Sequence, residues 1–419
     1  MSEPFNAEVV NDRSSLWFFP SISTLHQESI LYYAETLSFL SFLFMVFFLP
    51  LFETWKNVGF GFALFFFLVR TCISRDFRIK LYPAGWGNLA FLGAVCLSAF
   101  FAINKFQGLR GVWDVFRYFA VYLLVVNTFK SKKQIRLCIV VLLLSVTIGS
   151  LWGLTEYYLG IKEFLEINSL GHKNHTATYL AIILSLCGGL FVADFRLGIY
   201  KFFLAVVMVI IGSALLLTQA RSAWIALAIV YCIFLFLMKS RRATVILGVY
   251  VLFLALIGLS IQPVRARLVT LVHSPFENEA LILRARSWRN TFQLVNDHPF
   301  LGVGPRNFNF IDHEKYNLVG LDHAHSLYVN GLAELGVLGL SALLGWLASC
   351  WVTLKKIRKH SLSNDQYGYW LAALGALLII MVSGIVTTTL HTEGAIAFSI
   401  VLGISVAAVM QESLRGSPE

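Results

Sequence analysis

The sequence contains few charged residues and few of the patterns that mark soluble enzymes. Only 13% of its 419 residues are charged, whereas roughly a quarter are charged in a soluble domain. The six cysteines are scattered and form no C-x-x-C pair, so their spacing indicates neither a zinc site nor a disulfide framework. The N-terminal stretch MSEPFNAEVVNDRSS lacks the basic segment and the short apolar core of a cleaved signal peptide.

Common catalytic motifs are also missing. The sequence has no G-x-S-x-G elbow, no H-E-x-x-H pair and no Walker loop, and the acidic residues outside the apolar segments are few. We therefore expect any reaction to proceed without a metal and without another cofactor. The net charge of +10 would suit a nucleic-acid partner, but the basic residues are spread between apolar segments, so we expect no nucleic-acid partner.

Long apolar segments dominate the chain. Hydrophobic residues make up 58% of it and the mean hydropathy is +0.73. At about 20 residues per crossing, these segments predict an all-α polytopic membrane protein with about twelve transmembrane helices. Their predicted positions are residues 35–52, 57–73, 86–103, 112–128, 135–155, 175–193, 199–217, 222–238, 243–261, 326–352, 367–386 and 394–411. One membrane domain is predicted, with spans 1–9 in residues 1–261, an external loop at 262–325 and spans 10–12 in residues 326–419.

Basic residues are concentrated in alternate connections and in the tails. One side holds Arg13, Arg70, Arg75, Arg78, Lys80, Lys130, Lys132, Lys133, Arg136, Arg196, Lys201, Lys239, Arg241, Arg242, Lys355, Lys356, Arg358, Lys359 and Arg415. The short connections on the other side hold Lys56, Lys105, Arg110, Lys162, Lys173 and Arg221. Because cytoplasmic connections carry the excess of Lys and Arg, both termini are predicted to be cytoplasmic, and topology explains most of the positive charge.

Two groups of cations lie on the opposite side from these basic runs. The predicted external loop carries Arg265, Arg267, Arg284, Arg286, Arg289, Arg306 and Lys315. Arg221 lies in the tight connection LLTQARSAWIAL, with apolar segments on both sides. Charges at a membrane edge are costly and usually face a cavity or a partner. An anionic substrate handled outside the cytoplasm would account for these cations.

Within the loop, the stretch EALILRARSWRNTFQLVNDHPF predicts an amphipathic helix at the membrane surface. The predicted apolar stripe consists of Leu281, Ala285, Trp288, Phe292 and Val295. Arg286, Arg289 and Gln293 fall on a more polar face. The Gly/Pro-rich stretch HPFLGVGPRNF predicts a turn after this helix.

The stretch LDHAHSLYVNGLAELGVLGL places His323 and His325 directly before the tenth span, with Ser326 as its predicted N-cap. The positive end of that helix favours a neutral imidazole at His325, and a neutral imidazole can act as a general base. The alternative is a histidine that only hydrogen-bonds at the interface. The small residues that follow, Gly331, Ala333, Gly336 and Gly339, are predicted to let this helix pack closely against its neighbours.

Two further histidine-containing stretches lie at the same predicted membrane face. GHKNHTATYL contains His172, Lys173, Asn174 and His175, and TTTLHTEG contains His391 and Glu393. Two readings are open for both: a contribution to the shape of a pocket, or mainly solvated loops, which is the favoured expectation. His323 and Asn174 are kept as candidate substrate-binding residues.

These patterns together resemble the O-antigen ligase/polymerase superfamily of bacterial envelope glycosyltransferases. His325, Ser326, Gly336 and Gly339 match the ligase signature His-[Asn/Ser/Gln]-x9-Gly-x2-[Gly/Thr/Tyr]. TQARSAWIAL resembles the arginine-bearing connection of the family at Arg221, and RARSWRNTFQLVNDHPFLGVGPRNF resembles its loop helix, with Arg286 at the arginine position. The resemblance covers about residues 170–345, and FFAINKFQGLRGVWDVFRYFAVYLL matches more loosely.

The resemblance implies a GT-C-like fold in the bacterial inner membrane and an active site at the periplasmic face. It implies transfer of a glycan from undecaprenyl diphosphate to a sugar hydroxyl of the lipid A–core oligosaccharide, without a metal and with inversion of the anomeric centre. By position, His325 would be the base, and Arg221 and Arg286 would hold the diphosphate. Arg284 and Arg289 are neighbours that would share this work, because the register of the loop helix is open.

Three other functions are compatible with the sequence. A ligase of this kind could instead glycosylate a protein or another exopolysaccharide acceptor, since the sequence does not name the acceptor. An O-antigen polymerase would use a second lipid-linked glycan as acceptor, but no external arginine here has the Arg-x10-Gly spacing typical of polymerases. A transporter or flippase would suit twelve spans. It should carry ionisable groups near the middle of the membrane, whereas the few charges here include Asp114 and Arg117, predicted to be a pair near a membrane edge.

Overall fold

The computed structural model describes residues 22–75, 77, 79–193, 198–237, 241–273 and 279–413. Fourteen α-helices connect these residues, and no strand occurs among them. The helices are α1 (Ile22–Phe48), α2 (Glu53–Ser74), α3 (Tyr82–Phe100), α4 (Lys105–Thr128), α5 (Lys132–Tyr158), α6 (Lys173–Ala193), α7 (Ile199–Leu217), α8 (Arg221–Leu237), α9 (Arg241–Ser260), α10 (Gln262–His273), α11 (Glu279–Asp297), α12 (Leu327–Arg358), α13 (Asn364–Ser383) and α14 (Thr392–Ser413).

Each of the twelve predicted spans falls on one of these helices, but the count of twelve crossings is not confirmed. Within the described ranges, nine helices are long and apolar enough to cross a membrane. They are α1, α2, α3, α5, α6, α7, α12, α13 and α14. Two further apolar helices are shorter, Arg221–Leu237 and Thr244–Ser260. The chain is therefore a polytopic helical membrane protein.

Helices α6, α13 and α14 form the centre of the bundle. The apolar window of α14 is 100% buried, and those of α6 and α13 are 83% and 78% buried, whereas only 28% of the windows of α2 and α7 is buried. A helix enclosed on all sides has no polar face, and α14 accordingly reads as a nearly unbroken apolar run after Glu393. The position of Glu393 at the buried start of this helix becomes important for the site.

The connections predicted to lie on one side of the membrane do meet at one end of the bundle, which we call the site end. Four backbone hydrogen bonds join them: Ser169 N donates to Pro50 O (3.2 Å), Leu165 N to Leu217 O (3.2 Å), Ile103 N to Val303 O (3.1 Å) and Leu327 N to Gly384 O (2.8 Å). At the opposite end, Lys130 and Arg136 bind Glu35 and Asp365. Five of the basic residues used for the topology, Arg13, Arg78, Arg196, Lys239 and Arg415, lie outside the described residues.

Helix α11 forms within the predicted external loop, as expected, but its predicted apolar stripe is wrong at Ala285 and Phe292 and right at Val295. Phe292 is 49% exposed and Ala285 is also exposed, while the buried side chains are Ser287, Thr291, Leu294 and Val295. The side chain of Leu281 lies outside the description. The buried face carries small hydroxyl side chains instead of large apolar ones, because α11 packs close to the residues that precede α12. Trp288 is only partly buried. Helix α11 is thus rotated about its axis relative to the predicted orientation, and Arg284 lies on its inward side.

Helix α12 is broken at Gly336, a feature that the predicted packing role of its small residues did not include. Gly336 has φ +66° and ψ −170° within the helix. The loop 299–304 docks against this break: Val303 N and Gly304 N donate to Ala333 O and Glu334 O (3.1 and 2.8 Å), and Val337 N and Leu338 N donate to Pro299 O and Phe300 O (2.9 and 3.2 Å). The loop backbone thus provides hydrogen-bond partners for the backbone groups that the break leaves without partners inside the helix.

We expect Gly336→Ala to destabilise the protein by about 2 kcal/mol or more, because φ is in the left-handed region and a Cβ would overlap the backbone of Phe300. Gly345→Ala is the matched control, since it lies on the same helix with open space around its Cβ position and alanine favours a helix by about 1 kcal/mol. Thermal unfolding of the two variants in detergent measures the difference. Equal melting temperatures would show that the break is not needed for stability.

Candidate functional site

The segment that carries His325 is fixed on three sides. Trp288 Nε1 of α11 donates to Ala324 O (2.8 Å), and Ala324 N donates to Asn330 Oδ1 of α12 (3.1 Å). Ser326 caps α12, as predicted, by accepting a hydrogen bond from Val329 N (3.4 Å). His325 itself has φ +50°, a strained conformation for a non-glycine residue that surrounding contacts must hold. The segment is therefore a positioned element rather than a free loop.

His325 is expected to be a neutral imidazole at pH 7. Its pKa is lowered from the ordinary value, first by burial, then by the positive charges of Arg284 and His172. The direction agrees with the sequence-based expectation, but the cause differs, because the neighbouring charges and the loss of water replace the helix dipole as the explanation. A neutral imidazole beside a guanidinium can accept a proton from a substrate hydroxyl.

Arg284 lies near His325, and Arg221 lies near Arg284, although 62 residues of sequence separate the two arginines. Burial and the positive charge of Arg221 lower the pKa of Arg284, which places the two guanidinium groups within electrostatic range. Arg267 of α10 joins the group, with its Nε donating to Gln219 Oε1 (3.4 Å). No acid among the described residues forms an ion pair with Arg221 or Arg284. Such cations suit an anionic ligand.

The structure separates the other predicted arginines from this group. Arg286 and Arg289 are exposed on α11, on the faces that the inward turn of Arg284 leaves to solvent. Asn174 is half-buried near the start of α6, and its backbone N donates to His172 Nδ1 (3.1 Å). His323 lies against His325, with ring centroids 4.3 Å apart, and burial lowers the pKa of His323 to about 4.

A cavity of about 570 Å³ opens beside His323 at the site end of the bundle. Residues from α3, α4, α6, the 305–310 loop, α12 and the α13–α14 connection line it. Its charged and imidazole side chains are Asp114, His175, Arg306, Asp322, His323, Glu334 and His391. This volume lies in the range of small-molecule sites, roughly 300–1,000 Å³.

A buried ion pair that sequence reasoning missed supports one wall of this cavity. Lys56 and Glu393 are 1% and 2% exposed and bind each other directly. Glu393 Oε2 also contacts His391 Nδ1 (3.2 Å), and the ring of His391 stacks on His175 at 3.9 Å. The expectation of solvated loops at GHKNH and LHTEG is therefore wrong for His175 and Glu393, while the side chain of His391 remains 39% exposed although it lines the cavity. A carboxylate at the start of an apolar span was the signal that could have indicated a buried partner.

A second polar group lies across the α4–α14 contact. Arg117 binds Asp114, as the sequence predicted, and also donates to Asn57 Oδ1 (3.1 Å) and Thr392 Oγ1 (3.4 Å). Arg306 reaches the same carboxylate, with Nε 2.9 Å from Asp114 Oδ2. Charges in such a place need partners, because an unpaired buried charge is strongly unfavourable. These networks fix α2, α4 and α14 around the cavity.

We expect Glu393→Gln to destabilise the protein by about 3–5 kcal/mol, because it leaves Lys56 charged and buried without its carboxylate. The double variant Lys56→Met/Glu393→Gln removes both charges and should recover most of this loss. Thermal unfolding in detergent compares the two. A double variant as unstable as the single one would show that the pair is not the source of the effect.

A comparison of the sequence with protein-family models gives one match, to the O-antigen ligase family, over residues 204–344. This segment contains Arg221, α10, α11 and the His325 segment through Gly339, so it covers the cationic group described above. A search among curated proteins found no match. The matched part of the chain, residues 204–344, is therefore similar to the O-antigen ligase family.

Proposed function

We propose that the protein transfers a glycan from undecaprenyl diphosphate to a sugar hydroxyl of the lipid A–core oligosaccharide. The family match supports an O-antigen ligase or polymerase type of activity in general. The single observation that carries the finer proposal is a series of neighbours, in which Arg284 acts on His325 and Arg221 acts on Arg284, although the sequence places Arg221 far from both. A base next to a group of cations suits attack by a hydroxyl on a carbon that bears a diphosphate.

In the proposed reaction, His325 removes the proton of the acceptor hydroxyl as its oxygen forms a bond to the anomeric carbon. The bond from that carbon to the diphosphate oxygen breaks, and the electron pair leaves with undecaprenyl diphosphate. Arg221 and Arg284 stabilise the growing negative charge through charge-assisted hydrogen bonds. Attack from the side opposite the leaving group inverts the anomeric centre. The guanidinium groups supply the charge that a metal would otherwise provide, so the reaction is proposed to be metal-independent.

The orientation of α11, which turns Arg284 inward and leaves Arg286 exposed, favours Arg284 as the second diphosphate ligand. Arg284 is on the inward side and lowers the pKa of His325 through its charge, whereas Arg286 is exposed. The two positions are about 200° apart around a helix, so both cannot face one ligand. We therefore propose Arg284 for the role that the resemblance gives to Arg286.

Both substrates are proposed to be lipid-anchored and to meet at the membrane edge of the site end. The proposed location is the bacterial inner membrane, with both termini cytoplasmic and the site end periplasmic, which follows from the distribution of Lys and Arg. The described basic residues Lys130 and Arg136 lie at the opposite end of the bundle from His325. This arrangement is consistent with that orientation.

We expect purified, reconstituted protein to transfer glycan from undecaprenyl diphosphate to lipid A–core in the presence of EDTA. His325→Ala should lower the rate by about 10²–10⁴-fold, because it removes the base, and Arg221→Ala by about 10²–10³-fold, because it removes a ligand of the leaving group. Gel mobility of the lipid A–core product measures transfer.

Two other results of this assay would favour the alternatives. Growth of the glycan with donor alone, and none on lipid A–core, would identify a polymerase. No product with either acceptor, together with loss of cellular function in Asp114 or Arg117 variants but not in His325→Ala, would favour a transporter.

The two neighbouring arginines of α11 separate the sequence-based assignment from the structural one. We expect Arg284→Ala to lower the transfer rate by about 10²-fold or more. Arg286→Ala should lower it by less than about tenfold, because an exposed charge contributes little in water. Initial rates at saturating donor and acceptor compare them. The reverse order would return the diphosphate role to Arg286.

The fall of kcat/KM at acid pH should follow the protonation of His325. Its pKa is lowered in the folded protein, so the neutral base persists below the ordinary histidine pKa and activity falls only as the pH drops through the lowered value. Arg284→Gln removes one of the charges that lower this pKa, so the acid limb should move to higher pH in addition to the loss of rate. Rate profiles between pH 4.5 and 8 test this. An unshifted limb would show that Arg284 does not act on the base.

A further inference from the structure

The cavity beside His323 is distinct from the cationic group that is proposed to hold the diphosphate. None of Arg221, Arg284 and Arg267 lines it. It is reached from His325 through His323, whose ring centroid is 4.3 Å from that of His325. If the cationic group binds the diphosphate of the donor, the attacking hydroxyl of the acceptor would approach His325 from this cavity.

Arg306 lines this cavity, and its backbone is held by a hydrogen bond. Its backbone has φ +58°, and its N–H donates to Glu334 Oε2 (3.1 Å), while Phe308 N donates to Glu334 Oε1 (3.4 Å). Glu334 stands directly before the helix break, so the same carboxylate joins α12 to the 305–308 loop. Strained backbone that a buried carboxylate holds in place is typical of a functional position.

The side chain of Arg306 is also oriented. Its Nε lies 2.9 Å from Asp114 Oδ2, and the side chain remains 45% exposed. Within the part of the chain that the structure describes, no residue pairs with its Nη1 or Nη2. A guanidinium has five N–H donors in a fixed fork, so the Nη groups remain for a ligand. Asp114 is shared with Arg117, and its two oxygens have lone pairs beyond these contacts.

The remaining lining of the cavity suits a sugar ring. Carboxamides of Gln107, Asn309 and Asn330 lie around it, and Phe308, Phe310 and Tyr118 supply aromatic surface. Amides and carboxylates accept and donate hydrogen bonds to vicinal hydroxyls, while aromatic rings cover the apolar face of a ring. The charges do not favour an anion, because Arg306 is already paired with the carboxylate of Asp114 and Asp322 adds a further carboxylate to the wall.

We propose that Arg306 and Asp114 form the acceptor subsite, a paired guanidinium and carboxylate that bind the hydroxyls of an uncharged sugar and direct one hydroxyl past His323 to His325. This inference rests on the proposed function for the direction of transfer. The binding of an uncharged sugar at Arg306 does not depend on it. The subsite selects against a phosphorylated or acidic sugar at the position of attack, because such a group would meet the carboxylates of Asp114 and Asp322.

The first experiment compares KM for each substrate in the reconstituted wild type and in Arg306→Ala. The expected result is an increase of about tenfold or more in KM for lipid A–core, since hydrogen bonds from a charged donor are lost, with KM for the lipid-linked donor unchanged. Arg306→Lys keeps the charge without the fork and should give a smaller increase in the same direction. Arg265→Ala removes an exposed arginine of α10 that does not line the cavity and should leave both constants unchanged.

The second experiment measures sugar binding without the reaction, by saturation-transfer NMR on the purified protein with methyl α-glucopyranoside and glucose 6-phosphate as probes. The proposal expects transfer to the uncharged glycoside, little to the phosphate, and loss of the signal in Arg306→Ala when the melting temperature is unchanged. A stronger signal from the phosphate, or a glycoside signal that Arg306→Ala retains, would overturn the subsite.

The two experiments separate the subsite from the proposed function. An increase in the donor KM instead of the acceptor KM, or no change in either, would overturn the assignment of Arg306 to the acceptor. If the wild type transferred no glycan to lipid A–core, the proposed function would fail, and the NMR result alone would then support or overturn the sugar subsite.

Discussion

The break of α12 at Gly336 is the constraint on which the site depends. A helix interrupted within an apolar bundle exposes backbone groups that must find partners, and the loop 299–304 supplies them through four hydrogen bonds. That docking fixes the loop to α12, and the loop follows the end of α11 after one residue. Trp288 of α11 then holds Ala324, and His325 follows. Gly336 and His325 of the signature are therefore parts of one arrangement. The break at Gly336 anchors the loop next to α11, and α11 holds the segment that carries His325.

Two kinds of charged group lie near each other at the site end, and the difference between them indicates their tasks. Lys56 with Glu393, and Arg117 with Asp114, are buried and compensated, so their main effect is to hold α2, α4 and α14 together while the cavity between them stays open. Arg221 and Arg284 have no acidic partner among the described residues. Two adjacent cations repel each other, and a bound anionic ligand would offset this unfavourable free energy. Compensated pairs thus form the walls, and uncompensated cations form the proposed binding surface.

Sequence patterns predicted the helices well because long apolar runs determine where a chain can lie in a membrane. They also predicted the cap at Ser326 and the Asp114–Arg117 pair, since both depend on residues close in sequence. They failed where the outcome depended on rotation or on distant partners. The register of α11 was wrong because an apolar periodicity assumes that large side chains face inward, whereas close packing against the segment before α12 selects Ser287 and Thr291. Glu393 was taken for a solvated residue because its partner, Lys56, is 337 residues away.

The position of Arg284 beside His325 would serve both halves of the proposed reaction. Before the donor binds, its positive charge lowers the pKa of His325 and keeps the imidazole neutral, which is the form that can accept a proton. A bound diphosphate offsets that charge, and the leaving group gains further negative charge as the glycosidic bond to it breaks. The imidazole therefore becomes a stronger base as the hydroxyl proton is transferred, because the repulsion that an imidazolium would feel from Arg284 declines. Proton removal and departure of the diphosphate are in this way coupled through one guanidinium. In the proposed reaction, this coupling would require the base and the cations to share a compartment, while the acceptor sugar would occupy the cavity beyond His323.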